Sequence, residues 1–279
     1  MTTGRGIDHI GIAARSLDGL AAQYEALGFT LTPRAQHPER MGTSNRLVQF
    51  GGGDLGNHPG GGRNFIELIE VDRPDGVAPA REGFVSFGAY TLDFLGRREG
   101  MNLIVFRTDD RDADLERWKA AGLQTYAPFS FERLATLPDG TQVTVSFELA
   151  FVTDSEIDVL FFVCDNKAEA YFWKPEFQSH ANGGADMHEV ILCSEDPARH
   201  GTFLSAMFGG RLVEQADGIR VDCDGNFISV RTPDALAGHG WTHTAGTTAV
   251  PAGIEVLSTA RAGTVTEPRD AGGIFIKWI

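Results

Sequence analysis

The sequence predicts an α+β fold built from a unit that is repeated along the chain. Each unit consists of a short apolar strand, a small acidic turn, an amphipathic helix that ends in glycine, and further strands. The clearest copies begin in residues 8–29, 102–123 and 188–210. Because a unit of this length cannot close a hydrophobic core alone, the repeats are expected to pack against one another.

The first repeat shows the signals of this unit in order. Ile10 and Ile12 alternate with small residues, which is typical of a half-buried strand. Ser16 is placed to cap the following helix, and Gly28 supplies a left-handed stop at its end. The predicted buried stripe of this helix consists of Leu20, Tyr24 and Leu27.

Further strands are predicted to complete the first unit, at residues 30–38, 45–50 and 64–71. The glycine-rich stretch 51–62 lacks the Gly-Lys-Ser/Thr ending of a phosphate loop, so we interpret it as a flexible hairpin loop. Residues 72–101 carry prolines and a short aromatic segment, which indicates a connector with one helical turn or more.

The second repeat continues with the same periodicity. Its strands are predicted at residues 131–137, 143–153 and 157–165, and the Pro-Asp-Gly sequence at 138–140 predicts a turn between the first two. The helix and the residues after it should place three apolar side chains in the core: Leu115, Trp118 and Leu123.

The pattern then lapses, and this divides the chain into two predicted domains. Residues 1–166 form a first domain of two modules, and 186–279 form a reduced second domain whose last module has two strands and no helix of the expected length. The segment 167–185 between them is rich in proline, asparagine and glycine. Its aromatic residues are too apolar to remain in water and should pack against a domain: Phe172, Trp173 and Phe177.

The composition argues against several classes of function. A net charge of −14 and a pI near 4.9 argue against nucleic-acid binding, because a polyanion is bound by a basic patch. No apolar run approaches the roughly 20 residues of a membrane helix, and the first residues do not resemble a signal peptide. The three cysteines lie far apart in apolar runs, which indicates buried, reduced thiols. We therefore expect a cytoplasmic protein that binds neither nucleic acid nor membranes.

The tandem βαβββ unit resembles the vicinal oxygen chelate superfamily, which includes glyoxalase I, extradiol dioxygenases and bleomycin-resistance proteins. The sequence of residues 8–29 is similar to the first strand and helix of such a module, and 64–71 is similar to its last strand. The runs HPERMGTSNRLVQF (37–50) and FQSHANGG (177–184) are similar to the glyoxalase-like family within it. The resemblance covers residues 6–235 and implies curved half-barrel sheets: one full pair of modules and a reduced second pair.

The resemblance also implies metal ligands, because metal-dependent members place one ligand on the first strand and one on the last strand of each module. In the first module these positions are His9 and Glu67, which are suitable ligands for a divalent ion. In the second module they are Leu103 and either Phe161 or Phe162, none of which can bind a metal.

The second domain departs from the same pattern. Its first module has Glu189, next to His188, at the position of His9, and it has Ser229 at the position of Glu67. The last strand offers Lys277, which a metal site would avoid. No pair of modules supplies four ligands by the rule of the superfamily, so we expect no site in the second domain.

One divalent metal ion (zinc, iron, manganese, nickel or magnesium) is thus implied with two ligands, and a third could come from His37, Glu148 or the segment 171–182. The alternative is that His9 is a hydrogen-bonded strand residue and Glu67 a carboxylate paired with arginine. A site requires that the two side chains face the same groove within about 5 Å of each other, because each ligand atom lies roughly 2 Å from the metal.

Other polar residues in the predicted strands are candidates for binding a substrate, since arginine in an apolar groove can hold a carboxylate or phosphate. One of Glu132 and Arg133 must face inward, and His37 joins Glu67 as a candidate catalytic residue. Surface ion pairs or turns are the alternative roles for these residues. The candidate substrate-binding residues are Asn45, Arg46, Arg133, Glu148, Trp173 and His180. Three histidines that belong to no candidate constellation are expected to be exposed: His200, His239 and His243.

Two functions follow from the resemblance. The first is a metal-assisted or acid–base lyase, isomerase or dioxygenase, with Glu67 as base or ligand, His9 as ligand and Arg46 orienting an anionic or oxygen-rich substrate. The second is a non-catalytic protein of the bleomycin-resistance type, which binds or sequesters a small molecule in an aromatic groove. In either case the expected partner is a small-molecule ligand, and two chains could pair as a homodimer.

Overall fold

The computed structural model describes residues 5–52, 63–136, 140–242 and 246–279. Most of the glycine-rich loop predicted at 51–62 lies outside these ranges, as do Pro138 and Asp139 of the predicted turn and His243. None of the helices in the described ranges is long and apolar enough to cross a membrane.

The first half of the chain forms one curved sheet, in which the described residues contribute nine strands. The strands are β1 (Ile7–Ala13), β2 (Ala35–Gln36), β3 (Thr43–Phe50), β4 (Asn64–Val71), β5 (Gly100–Arg107), β6 (Gln124–Thr125), β7 (Phe129–Thr136), β8 (Gln142–Thr153) and β9 (Leu160–Asn166). The helices are α1 (Leu17–Ala26), α2 (Phe87–Arg97) and α3 (Arg111–Ala120). The strand order is β2-β3-β4-β1-β5-β9-β8-β6, and β7 pairs with β8.

The second half forms a smaller sheet, in which the described residues contribute seven strands. A short helix, α4 (Glu169–Phe172), lies between the two sheets in sequence. The strands are β10 (Gly184–Cys193), β11 (Leu212–Gln215), β12 (Gly218–Cys223), β13 (Asn226–Arg231), β14 (Val250–Ser258), β15 (Val265–Thr266) and β16 (Phe275–Trp278). The helices are α5 (Gly201–Phe208) and α6 (Pro233–Leu236), and the strand order is β11-β12-β13-β10-β14-β16-β15.

Strand pairing follows the repeat seen in the sequence. In the first sheet β1 runs parallel to β4 and β5 runs parallel to β9, whereas β1 and β5 are antiparallel neighbours at the centre. The second sheet repeats this arrangement, with β10 parallel to β13, β14 parallel to β16, and β10 antiparallel to β14. The predicted α+β fold of tandem modules is therefore confirmed.

The helix signals of the first repeat are also confirmed. The Ser16 hydroxyl accepts a hydrogen bond from the backbone amide of Gly19, and Gly28 has a φ of 89°, a left-handed conformation that glycine adopts at little cost. Tyr24 is fully buried and stacks on Phe29. Helix α1 thus covers the core face of the sheet and leaves the opposite face free.

Alternation along the central strands separates the core from that opposite face. Ile10 and Ile66 point into the main hydrophobic core, which is shared by residues of both sheets. Their strand neighbours His9 and Glu67 point to the other face, although each is only 5–6% exposed. This face carries the candidate site.

Three predictions about local structure were wrong. The strand predicted at 30–38 is reduced to β2, because Pro33 and Pro38 lack the amide hydrogen that a sheet ladder needs. By contrast, the connector contains α2, a helix of 11 residues, in agreement with the predicted one helical turn or more. His200 is 1% exposed, because its Nε2 atom forms hydrogen bonds with the Ser194 hydroxyl and the Thr247 carbonyl. His239, also predicted to be exposed, is half-buried and stacks on Phe275.

The three cysteines, Cys164, Cys193 and Cys223, are free and buried, as predicted. Burial raises the pKa of all three thiols, so each is a neutral thiol near neutral pH. A neutral thiol is a poor nucleophile, so these side chains serve as packing groups.

Candidate active site

A cavity of about 60 Å³ lies on the face of the first sheet that carries His9 and Glu67. The cavity is mainly apolar. Its apolar lining consists of Met41, Leu47, Phe65, Phe87, Phe131, Phe147, Leu149, Phe162, Cys164 and Phe172. Its polar lining consists of Asp8, His9, His37, Asn45, Glu67, Arg133 and Asn166. A few polar groups in an apolar cavity are typical of a small-molecule site.

His9 is oriented by its neighbour in sequence. The pairing of β1 with β5 shifts register between Ile7 and His9, so Asp8 is an extra residue in this part of the ladder. Its carboxylate lies 2.6 Å from His9 Nδ1, and the imidazole stacks on the Phe65 ring at 4.3 Å between centroids. Because Nδ1 donates its hydrogen to Asp8, the Nε2 atom of His9 carries none. It faces the cavity and lies 3.8 Å from Glu67 Oε2.

Glu67 is the centre of the polar cluster. Its Oε1 atom accepts a hydrogen bond of 2.5 Å from the amide of Asn45 and lies 3.4 Å from His37 Nε2. The condition that His9 and Glu67 face the same groove within about 5 Å is met, since Nε2 of His9 and Oε2 of Glu67 are 3.8 Å apart and both residues line the cavity. The alternative prediction paired Glu67 with an arginine, whereas its hydrogen-bond partner in the structure is Asn45.

His37 lies just after β2 and reaches into the cavity from its side. Its Nδ1 atom is 2.8 Å from the Thr43 hydroxyl, and its Nε2 atom is 3.3 Å from the Asn45 amide nitrogen. Burial lowers the pKa of His37 below its ordinary value, although the charge of Glu67 opposes this shift. The imidazole is therefore neutral at neutral pH and can exchange a proton with a neighbouring group.

Arg133 on β7 is the cation of the cavity. Its neighbour Glu132 is exposed, so the arginine is the inward-facing residue of the two. Burial lowers the pKa of Arg133, and the charge of Glu67 partly offsets that effect. Among the residues that the structure describes, the guanidinium has no hydrogen-bond or ion-pair partner.

Comparison with models of known protein families identifies the family of this chain. A model of the glyoxalase-like domain matches residues 7–208, which is more than half of the chain. The protein belongs to the glyoxalase-like domain family. This match agrees with the resemblance to the glyoxalase-like family found in the sequence. Comparison with curated proteins finds no match.

Three solved structures are similar to this family member, and the first of them has the same fold. A hypothetical protein from Staphylococcus aureus has 16% sequence identity, covers 98% of each chain and has a TM-score of 0.72. Methylmalonyl-CoA epimerase from Streptomyces coelicolor has 23% identity over 60% of this chain and 97% of its own, with a TM-score of 0.38. The epimerase from Mycobacterium tuberculosis has 19% identity over 62% and 96%, with a TM-score of 0.37.

The glyoxalase-like cavity does not fit the four-ligand metal site of the superfamily. Leu103 and Phe162 lie at the ligand positions of the second module, and the Phe162 ring meets the His9 imidazole edge-on at 5.8 Å between centroids. Phe161, the other predicted position, points into the core against Phe203. In the described part of the chain, no three His, Cys, Asp or Glu side chains are grouped to hold a metal ion.

Metal content is therefore the direct test of the implied cofactor. After purification without chelators and incubation with zinc, iron, manganese, nickel or magnesium, we expect less than about 0.1 equivalent of bound metal. Leu103 and Phe162 occupy two of the four ligand positions of the superfamily, and Glu67 is already hydrogen-bonded to Asn45. The measurement is elemental analysis of the wild-type protein and of the H9A, E67A and E148A variants. Stoichiometric metal that is lost in H9A and E67A, but kept in E148A, would restore the metal site.

Two predicted substrate-binding residues lie on the other face of their strands. Arg46 donates to the Thr32 carbonyl and pairs with Glu25 at 2.9 Å. Glu148 lies between two cavity residues of β8 and is 3.6 Å from the Lys167 ammonium. The structure does not bring either residue into the cavity, whereas it brings in His9, His37, Asn45, Glu67 and Arg133.

The two predicted residues of the segment after β9 lie outside the cavity. Trp173 packs edge-on against Phe65, with 5.8 Å between ring centroids, but does not line the cavity. The Nδ1 atom of His180 accepts a hydrogen bond from the amide of Thr30 and its Nε2 atom is 2.9 Å from the Gln49 carbonyl, so His180 holds the segment to the first domain.

Asp8 and Phe172 are among the cavity residues that the sequence analysis did not assign to the site. Asp8 has a local signal, a carboxylate next to a candidate imidazole, which could have been recognised. Phe172 covers the cavity from the segment after β9 and lies 5.1 Å from Phe65 between ring centroids. Its position has no periodic signal, because the segment is irregular.

In the second domain the corresponding positions carry ion pairs. Glu189 lies 3.2 Å from Arg231, and the Lys277 ammonium lies 2.5 Å from a carboxylate oxygen of Glu255. Ser229, at the position of Glu67, is fully buried. The charged residues at these positions of the second domain are therefore each neutralised by a neighbouring side chain.

Proposed function

We propose that the cavity of the first domain binds a small molecule with an apolar head and an anionic group, and that Arg133 holds the anion. The observation that carries this proposal is a guanidinium in an apolar cavity without a partner among the described residues. A cation removed from water is stabilised by an anion, and guanidinium donates two parallel hydrogen bonds to a carboxylate or phosphate.

The size and lining of the cavity define the head of this ligand. About 60 Å³ gives room for on the order of four to six non-hydrogen atoms, since one water-sized sphere needs roughly 10–15 Å³. Most of the lining atoms belong to phenylalanine, leucine and methionine, which favour an aliphatic or aromatic group. A branched alkyl carboxylate such as isohexanoate meets both requirements.

Calorimetric titration tests this proposal with isohexanoate and its uncharged amide. We expect the acid to bind more tightly than the amide, and the Arg133→Met variant to bind the acid about tenfold more weakly, because a charge-assisted hydrogen bond is lost. Arg269→Met is the matched control, because this arginine is exposed in the second domain and pairs with Glu267.

The control should bind isohexanoate as the wild-type protein does. Equal affinities of the wild type for the acid and the amide would contradict the proposal. So would an Arg133→Met variant that keeps the wild-type affinity.

The contacts of Glu67 favour a second candidate function, which is proton transfer on the bound molecule. Glu67 takes a proton from a carbon next to a carbonyl group, and the electron pair of that bond moves onto the carbonyl oxygen. The proton then returns to the same carbon. Asn45 fixes one oxygen of the carboxylate, and the neutral His37 at 3.4 Å can pass the proton to or from it. A protein that only sequesters its ligand would bind without this exchange.

A further inference from the structure

A wider groove continues outward from the cavity. It has a volume of about 490 Å³ and is open to solvent. The two spaces share four lining residues: Asn45, Leu47, Arg133 and Phe172. Arg133 thus stands at the junction between the buried cavity and this outer groove, so a ligand held by Arg133 can extend in both directions.

The charges of the outer groove are unusual for this protein. The whole chain has 38 acidic and 24 basic residues, yet the groove is lined by three basic residues and by no aspartate or glutamate among the described residues. Arg34 is neutralised by Asp18 and Glu70. Lys174 has no ion pair or hydrogen bond from its ammonium with any described residue, and the same holds for the Arg133 guanidinium.

Lys174 is held at this position by its backbone. The side chain of Gln49 donates to the Phe172 carbonyl at 3.0 Å and accepts from the Lys174 amide at 3.2 Å. The Lys174 carbonyl in turn accepts a hydrogen bond from the Phe177 amide. The strand β3 therefore fixes both the phenylalanine that covers the cavity and the lysine that lines the outer groove.

We propose that the natural ligand has two anionic groups: the first binds Arg133 at the mouth of the cavity, and the second lies in the outer groove against Lys174. This inference rests on the proposed function, because it takes the apolar head and the Arg133 contact from it. The ligand class is a small dicarboxylate, or a carboxylate that also carries a phosphate, with an apolar head of a few carbon atoms.

The test compares isohexanoate with isobutylsuccinate, which keeps the branched head and carries a second carboxylate. In calorimetric titrations of the wild-type protein, the dicarboxylate should bind about fivefold more tightly, which is the size expected for one partly exposed ion pair. The Lys174→Met variant should lose this gain and bind isohexanoate unchanged. Lys119→Met is the matched control, because Lys119 is exposed on α3 and outside the groove.

The outcomes separate this inference from the function on which it rests. Equal affinity of the wild type for the two acids, or a Lys174→Met variant that keeps the gain, would overturn the inference alone. Isohexanoate binding that does not depend on Arg133 would overturn the proposed function. Loss of the gain in Lys119→Met as well would show a general effect of charge and also overturn the role of Lys174.

Discussion

Replacing Glu67 with glutamine is expected to slow hydrogen–deuterium exchange by at least about 100-fold, because a positioned general base contributes about that factor or more. The exchange is the one that the protein accelerates in the alpha-keto analogue of isohexanoate. The exchanging hydrogens are those on the carbon next to the ketone. Glutamine keeps an oxygen for the hydrogen bond from Asn45, but its amide cannot take up a proton. Proton NMR in deuterated buffer measures the rate.

Glu148→Gln is the matched control for this experiment. The substitution is the same, but Glu148 lies on the other face of β8 beside Lys167, so the exchange rate should remain that of the wild type. Calorimetry with isohexanoate shows whether Glu67→Gln still forms the cavity. Exchange at the wild-type rate in Glu67→Gln would contradict the role of this carboxylate. A wild-type protein that binds the acid but does not accelerate exchange would support the sequestering function.

The largest expected effect on stability is at Asp114, a fully buried carboxylate of α3. It accepts hydrogen bonds from Arg5 Nε at 2.6 Å, from the Thr108 hydroxyl at 2.6 Å and from Arg117 at 3.0 Å. Arg117 also donates to the carbonyl of Met207 at the end of α5, which belongs to the second domain. Replacing Asp114 with alanine leaves these donors without an acceptor and should lower the free energy of unfolding by about 2–4 kcal/mol.

Urea denaturation followed by circular dichroism measures this change. Asp112→Ala is the control on the same helix, because Asp112 is exposed and pairs only with its neighbour Arg111 among the described residues. It should cost less than about 1 kcal/mol. A loss in Asp114→Ala no larger than that of the control would show that the buried network does not contribute to the stability of the fold.

The fold could be predicted because its signals are local and repeated. Alternating apolar residues mark the central strands, and the cap and glycine of α1 lie where the sequence places them. His9 and Glu67 could be predicted as a pair from the resemblance, because metal-dependent members of the superfamily place one ligand on the first strand and one on the last strand of a module. Their contact at 3.8 Å follows from the register between β1 and β4.

The rest of the site depends on information that a single sequence does not carry. Asn45 and Arg46 are consecutive in β3, so only one can face the cavity, and the flanking Ser44 and Leu47 do not decide which. The same ambiguity applies to Glu148, which lies between two inward-facing residues of β8. The position of Phe172 depends on hydrogen bonds to a strand more than 100 residues earlier, which no periodic pattern encodes.

The extra residue Asp8 interrupts the alternation of side chains along β1. Ile7 and Ile10 are three positions apart, so in a regular strand they would point to opposite faces. Both point into the core, because Asp8 interrupts the alternation. Without Asp8 the strand would alternate regularly, and Ile7, His9 and Ile10 would keep their present faces. One residue at the centre of the sheet therefore lacks a regular partner on β5. This residue is Asp8, whose carboxylate orients His9. Under the proposed function, ligand chemistry gives a reason for an irregularity in the central strand that folding alone does not require.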